Sequence, residues 1–176
     1  MGRVGYVGYY RTRQSLVLIV STPAQNFYLI FDTGSADMWV AGQECTSSSC
    51  RSTQLFDSSA SSTFSNTGDS FEITYGSGNA AGTEAKDTVT IAGFTVPNQE
   101  FGVVNQTSAN VIRYPLSGIL GLAFESIAQT QAPPFWEAVM TSGQATEQTM
   151  GFFMKRYRGD LSASVIEPDG GEFSLG

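Results

Sequence analysis

Apolar positions in this chain come in short runs broken by Gly, Ser and Asn. Leu16–Val20, Phe27–Phe31 and Met38–Ala41 read as the first strands, with Ser70–Tyr75, Thr83–Ile91 and Phe94–Val104 after them. Thr88-Val89-Thr90-Ile91 alternates polar and apolar positions, the pattern of a half-buried strand. The predicted breaks are Thr22-Pro23, Asn66-Thr67-Gly68, Gly76-Ser77-Gly78 and Ala92-Gly93. Pro133–Met140 predicts one short helix, with Pro at its start and Gly143 just past its end. Met150–Lys155 reads as a strand, and Gly170–Gly176 as a Gly-rich turn followed by a strand. Ser47–Ser62 is Ser-rich, but Leu55 and Phe56 interrupt it, so it reads as ordered loop. The pattern as a whole predicts a mostly β fold with one or two short helices and no repeat or linker.

Composition agrees with one folded domain. The 176 residues can bury a core, and 41% hydrophobic against 14% charged positions argues against disorder. The net charge of −7 disfavours a nucleic-acid surface. The one dense basic cluster, Lys155-Arg156-Tyr157-Arg158, reads as a solvated strand end or loop. Few Lys and Arg residues keep the charge modest at acid pH, which suits an acid-active enzyme and equally an ordinary acidic protein. The chain has no His, which removes His-based triads, His metal ligands and a His pH switch.

Cys45 and Cys50 are five positions apart and read as a small disulfide loop, or else as two free thiols. Without further Cys or His they make no ordinary zinc site. Leu16–Val20 is too short for a membrane span or a secretory core, so neither a signal peptide nor a membrane partner is expected. Asn105-Gln106-Thr107 is a glycosylation sequon, meaningful only in a secreted chain.

Asp32-Thr33-Gly34-Ser35 is where the chemistry concentrates. It follows the apolar run Phe27–Phe31, so Asp32 falls where a buried strand breaks into a turn. Gly34 permits close backbone approach, and Thr33 and Ser35 bring hydroxyls to the carboxylate. Taken alone, the motif also fits an ordinary turn aspartate. In order along the chain, Leu29 to Val40 resembles the first active-site segment of the pepsin family of aspartic peptidases. Thr22–Phe27 resembles the hairpin before it, and Tyr75-Gly76-Ser77-Gly78 resembles the flap. Ser117–Ala123 resembles the segment that supports the catalytic loop from behind. The resemblance runs from about Ser21 to Gly176. Its last part, from Ser142, is similar to fungal members, and residues 1–20 match poorly.

The resemblance implies one lobe of the pepsin-like double-β-barrel fold and an acid peptidase chemistry that calls for no cofactor and no metal. It implies that Asp32 is a catalytic carboxylate, that Ser35 hydrogen-bonds it, and that Thr33 locks the loop to its counterpart in a second lobe. Tyr75 would bond Trp39 and cover the substrate. Gly34, Gly76 and Ser77 would bond the substrate backbone, while Ile30, Tyr75 and Ile119 would wall an apolar pocket. Cys45 and Cys50 match the small first disulfide of the family, and a secreted or vacuolar location follows from the same likeness. Each of these has a plainer reading. Trp39 fits core packing, Tyr75–Gly78 any hairpin, and Ile119–Leu122 any buried strand with a bulge.

The sequence contains no second Asp-Thr/Ser-Gly. Asp57-Ser58-Ser59 and Asp87-Thr88-Val89 lack the glycine, and Asp169-Gly170 reads as a turn. Residues 21–176 are therefore expected to be an amino-terminal half, whether a fragment, a truncation or an engineered lobe. Three functions compete: an endopeptidase lobe that needs a partner lobe and acts on peptide or protein, a non-catalytic peptide-binding module, and a homodimer of the retroviral-protease kind in which two copies of Asp32 meet. In the first case the surface facing the missing lobe should expose Thr33, Gly34 and parts of Ile119–Leu122 as an apolar patch.

Overall fold

A computed structural model describes residues 3–10, 13–154 and 167–176, with side-chain surroundings for 20–153 and 172–176. The basic cluster at 155–158 lies outside the described residues. The strands are β1 (Arg3–Tyr10), β2 (Arg13–Val20), β3 (Gln25–Asp32), β4 (Met38–Ala41), β5 (Ser65–Tyr75), β6 (Gly78–Ile91), β7 (Phe94–Thr107), β8 (Leu116–Gly121), β9 (Met150–Met154) and β10 (Glu167–Leu175), with one α-helix, α1 (Phe135–Thr141). They form a sheet in the order β5-β6-β7-β4-β8-β3-β2-β1-β10-β9. A further pairing of β6 with β2, Leu18 opposite Ile91, closes β6, β7, β4, β8, β3 and β2 into a barrel. This is the mostly β lobe expected from the apolar pattern.

Two apolar clusters fill it. Phe27, Leu29, Met38, Val40, Phe101 and Leu120 belong to one, and Trp39, Ala41, Phe71, Ile73, Leu116 and Ile119 to the other. Successive residues of β4 alternate between the clusters, so every position of β4 is buried. A strand covered on both faces reads as an unbroken apolar run, which is how Met38–Ala41 appears in sequence.

The helix packs Phe135 and Val139, one turn apart, into the core and ends at Gly143, whose φ of +72° suits the left-handed end of a helix. Ala92 and Gly93, both at positive φ, make the two-residue turn between Ile91 and Phe94. Ser47–Ser62 is ordered through short 3₁₀ turns at Ser48–Cys50 and Ser58–Ala60, with Phe56 buried beneath it, and Cys45 is bonded to Cys50.

Several expectations change. β1 carries no clear apolar signal of its own and is held by pairing with β2 and β10. The predicted break at Asn66–Gly68 lies inside β5, as a register shift opposite β6 with Gly68 at φ +88°. An irregularity of this kind absorbs extra residues without ending the strand. Asp169-Gly170 is likewise no turn. It falls within β10, where the register jumps between Gly171 opposite Val7 and Glu167 opposite Tyr9. Pro168 in this stretch cannot donate to the ladder, which favours an irregularity there.

On the β6–β7 face Glu84 is buried and hydrogen-bonded to Glu100, which also bridges Lys86 at 3.1 Å. Burial first, then the Glu100 charge and that hydrogen bond, and then Asp69 and Asp37, push the Glu84 carboxyl from 4.5 up to about 7. The folded state therefore holds this proton more tightly than the unfolded chain. The resulting stability is complete below about pH 4.5 and is lost as pH rises to about 7. Thermal unfolding followed across that range should show falling stability, and Glu84→Gln should flatten the slope. An unchanged slope in the variant would remove Glu84 as its source.

Candidate active site

β3 ends at Asp32, and the chain turns through Thr33-Gly34-Ser35 into β4. β8 lies between β3 and β4, parallel to the first and antiparallel to the second. Its end is tied to the turn by backbone bonds. Gly121 N–H donates to the Asp37 carbonyl at 3.0 Å, Leu122 N–H to the Asp32 carbonyl at 2.9 Å, and Ala123 N–H to the Ser35 carbonyl at 2.9 Å. This approach needs glycine. A Cβ on Gly121 would stand 2.3 Å from the Ala36 carbonyl carbon, and one on Gly118 would stand 1.9 Å from the Trp39 oxygen. The Ser117–Ala123 segment thus backs the Asp32 turn.

The Asp32 carboxylate is half-buried and held through both oxygens. Gly34 N–H donates to Oδ1 at 3.0 Å and the Ser35 hydroxyl to Oδ2 at 2.7 Å. Thr33 and Gly34 are exposed, whereas Ser35 is buried. Trp39 is fully buried and its Nε1–H donates to the Tyr75 hydroxyl at 2.9 Å, so it serves both as core and as anchor for the β5–β6 hairpin. Burial pushes the Tyr75 hydroxyl well above the ordinary phenol value, against the effect of its hydrogen bonds with Trp39 and Ser35. It therefore stays a neutral donor. Trp39, Tyr75, Ser35 and Asp32 form one chain of hydrogen bonds in which each link can polarise the next.

Tyr75 pairs with Gly78, which leaves the intervening Gly76 and Ser77 exposed as the hairpin tip. The base of the tip is tied to Ser108, whose hydroxyl donates to Asn79 Oδ1 at 2.6 Å. Ile30 lies opposite Ile119 across the β3–β8 ladder, and Ile30 and Tyr75 both pack against the apolar cluster that contains Ile119. Asn105 stands apart, on β7.

The expected apolar patch is placed differently. Ile119, Leu120 and Leu122 are buried, because β8 is sandwiched between two strands and between two core clusters. Among the described residues, large apolar side chains are exposed instead at Phe124 (66%) and Ile127 (53%) beyond β8, at Phe152 and Phe153 on β9, and at Tyr28 and Tyr114.

Asp37 was not foreseen. It is 2% exposed, and its carboxylate accepts from Gln129 N–H at 2.9 Å, Thr130 N–H at 3.0 Å and the Thr130 hydroxyl at 2.9 Å. The signal available in sequence was a lone charge between Ala36 and Met38 in an apolar run.

A closed β-barrel lobe that presents one carboxylate in a glycine-backed turn, beneath a tyrosine-anchored hairpin, is a pepsin-like lobe. The model of the eukaryotic aspartyl protease family matches residues 16–167, and the chain belongs to that family. It is 54% identical over 157 residues to major aspartyl peptidase 1 of Cryptococcus neoformans var. grubii, covering 89% of this chain and 32% of that protein. It is 36% identical to gastricsin of Callithrix jacchus and 34% identical to that of Homo sapiens, each over 148 residues, 84% of this chain and 38% of the relative. The chain thus spans between 32% and 38% of the length of these relatives.

Three substitutions test the geometry by urea unfolding. Gly121→Ala should destabilise by about 1–3 kcal/mol, since the added methyl meets backbone and not a movable side chain. Tyr75→Phe should cost about 1–3 kcal/mol by leaving the buried Trp39 N–H unpaired. The Trp39→Phe and Tyr75→Phe double variant should then cost less than the two singles together.

Proposed function

We propose that this chain is the amino-terminal lobe of an endopeptidase that hydrolyses peptide or protein substrates at acid pH, with Asp32 as one of two catalytic carboxylates. The observation that carries the reading is the Asp32 carboxylate, half-buried and fixed by Gly34 N–H and the Ser35 hydroxyl. Membership of the aspartyl protease family supports the reaction class.

Two carboxylates a few ångströms apart cannot both ionise freely, so one proton is shared, pepsin itself being the known case. One carboxylate then takes a proton from an attacking water while the other protonates the peptide carbonyl oxygen. A single Asp32 gives neither the shared proton nor the acid and base together. The second carboxylate comes, in this reading, from a carboxy-terminal lobe. Thr33 and Gly34, exposed at the turn, are suited to meeting that lobe. The Tyr75 hairpin closes over the substrate, with Gly34, Gly76 and Ser77 bonding its backbone. The Cys45–Cys50 bond supports folding in an oxidising compartment, hence a secreted or vacuolar protein.

The test is peptide cleavage at acid pH with the complementary lobe supplied. Asp32→Asn should reduce turnover to background with the fold intact, because asparagine keeps the shape but cannot hold the shared proton. Tyr75→Ala should lower the rate by on the order of 100-fold, through loss of positioning alone. The chain by itself should be inactive. Full activity of Asp32→Asn would remove Asp32 from the reaction, and pepstatin-sensitive activity of a compact homodimer would replace the partner lobe by a second copy.

A further inference from the structure

We infer that Asn105 carries an N-linked glycan whose first sugar lies in a groove beside it, an inference that rests on the oxidising, secretory compartment proposed above. Asn105-Gln106-Thr107 has the acceptor pattern, and the structure supplies three reasons why this copy is usable. First, Asn105 is the extra residue of a bulge. Val104 pairs with Gly82 and Gln106 with Ala81, so Asn105 has no partner across the ladder from β6. A bulge re-aims the side chain that it releases. Second, no hydrogen bond joins the Asn105 side-chain amide to another described residue, and the residue is half-buried and not enclosed. Joining that nitrogen to a sugar therefore breaks nothing in the fold.

Third, Asn105 lines a groove of about 300 Å³. Phe64 and Val103, both half-buried, contribute apolar surface to it, and Gln43, Glu44, Asn66 and Thr83 contribute polar groups. A pyranose has a C–H face and a hydroxyl rim, so it matches a cleft with both kinds of wall.

The site is also compatible with catalysis. Val104 sits opposite Ala41, at the end of β4 remote from the Asp32 turn, so roughly 10 Å of strand separates them. The attachment point is thus set back from the Asp32 turn.

The chain is to be expressed behind a secretory leader in a glycosylating eukaryotic host. Intact mass should show a core glycan that a peptide N-glycosidase removes, leaving aspartate at position 105. Asn105→Gln and Thr107→Ala should abolish the increment and Thr107→Ser should keep it, which separates loss of the acceptor from misfolding. Trimmed to its first sugar, the protein should show slower deuterium exchange around the groove than the fully deglycosylated form. Secreted protein with the Cys45–Cys50 bond formed and Asn105 unmodified would overturn this inference alone. Free thiols together with unmodified Asn105 would overturn the compartment as well. Equal exchange in the two forms would overturn the groove as the seat of the sugar.

Discussion

Everything that positions Asp32 depends on how closely one strand backs onto its turn. β8 can lie against the turn because Gly118 and Gly121 present no Cβ to the backbone of Trp39 and Ala36. Three successive amides, at Gly121, Leu122 and Ala123, then bond carbonyls of Asp37, Asp32 and Ser35. The turn is held by main chain from behind, and this leaves its side chains free for chemistry in front. Asp37 extends the same logic. Its buried carboxylate satisfies two backbone amides and a hydroxyl of Gln129 and Thr130, fastening the segment that follows β8 to the start of β4. Such a charge is tolerable inside because three donors face it.

The second constraint is the link between core and hairpin. Trp39 belongs to the barrel wall and has no exposure, yet its one polar atom reaches Tyr75. A buried indole N–H needs a partner, so the packing of the core restricts where the hairpin base can sit. Since Tyr75 also bonds Ser35, and Ser35 bonds Asp32, the placement of the hairpin and the hydrogen bonding of the carboxylate are parts of one network. The far tip is free by contrast: Gly76 and Ser77 are exposed, beyond the Ser108 and Asn79 tie. A rigid base with an exposed tip is the arrangement expected of an element that closes over a ligand.

One buried carboxyl makes the stability of the lobe depend on pH. Glu84 is buried beside Glu100, and burial together with the Glu100 charge raises its pKa to about 7, so the folded lobe holds this proton more tightly than the unfolded chain does. The lobe tolerates this pair on the β6–β7 face, where Asp69 and Asp37 add to the negative field. The same logic of paired carboxyls is what the proposed catalytic site would use, with the difference that there the second carboxylate comes from another lobe. Barrel closure, glycine-backed turn and anchored hairpin are what this chain would bring to such a site.

Much of this was legible in the sequence because it is local. β4 spans Met38–Ala41 as its apolar run implied, the alternation at Thr88–Ile91 matched one-sided burial, and Gly143 and Ala92-Gly93 marked a helix end and a tight turn by the backbone angles that they permit. Asp32-Thr33-Gly34-Ser35 likewise located the carboxylate and its hydroxyl partner, which are three residues apart. What the sequence left open depended on contacts distant along the chain. The closing pair between β2 and β6, the pairing of β1 with β10, and the irregularities at Asn66–Gly68 and Pro168–Gly170 follow from register with a partner strand. No local pattern carries such information. Burial of Ile119–Leu122 was misjudged for the same reason: an apolar run shows that a strand is covered, but only the sheet order shows that both of its faces are covered from within the lobe. Asp37 gave only an isolated charge, and its role appeared when the fold brought Gln129 and Thr130, more than ninety positions away, within hydrogen-bond reach. Short-range chemistry was thus written in residue identity and spacing, while register, two-sided burial and the partners of buried charges were decided by the tertiary structure, because each depends on which distant backbone arrives alongside.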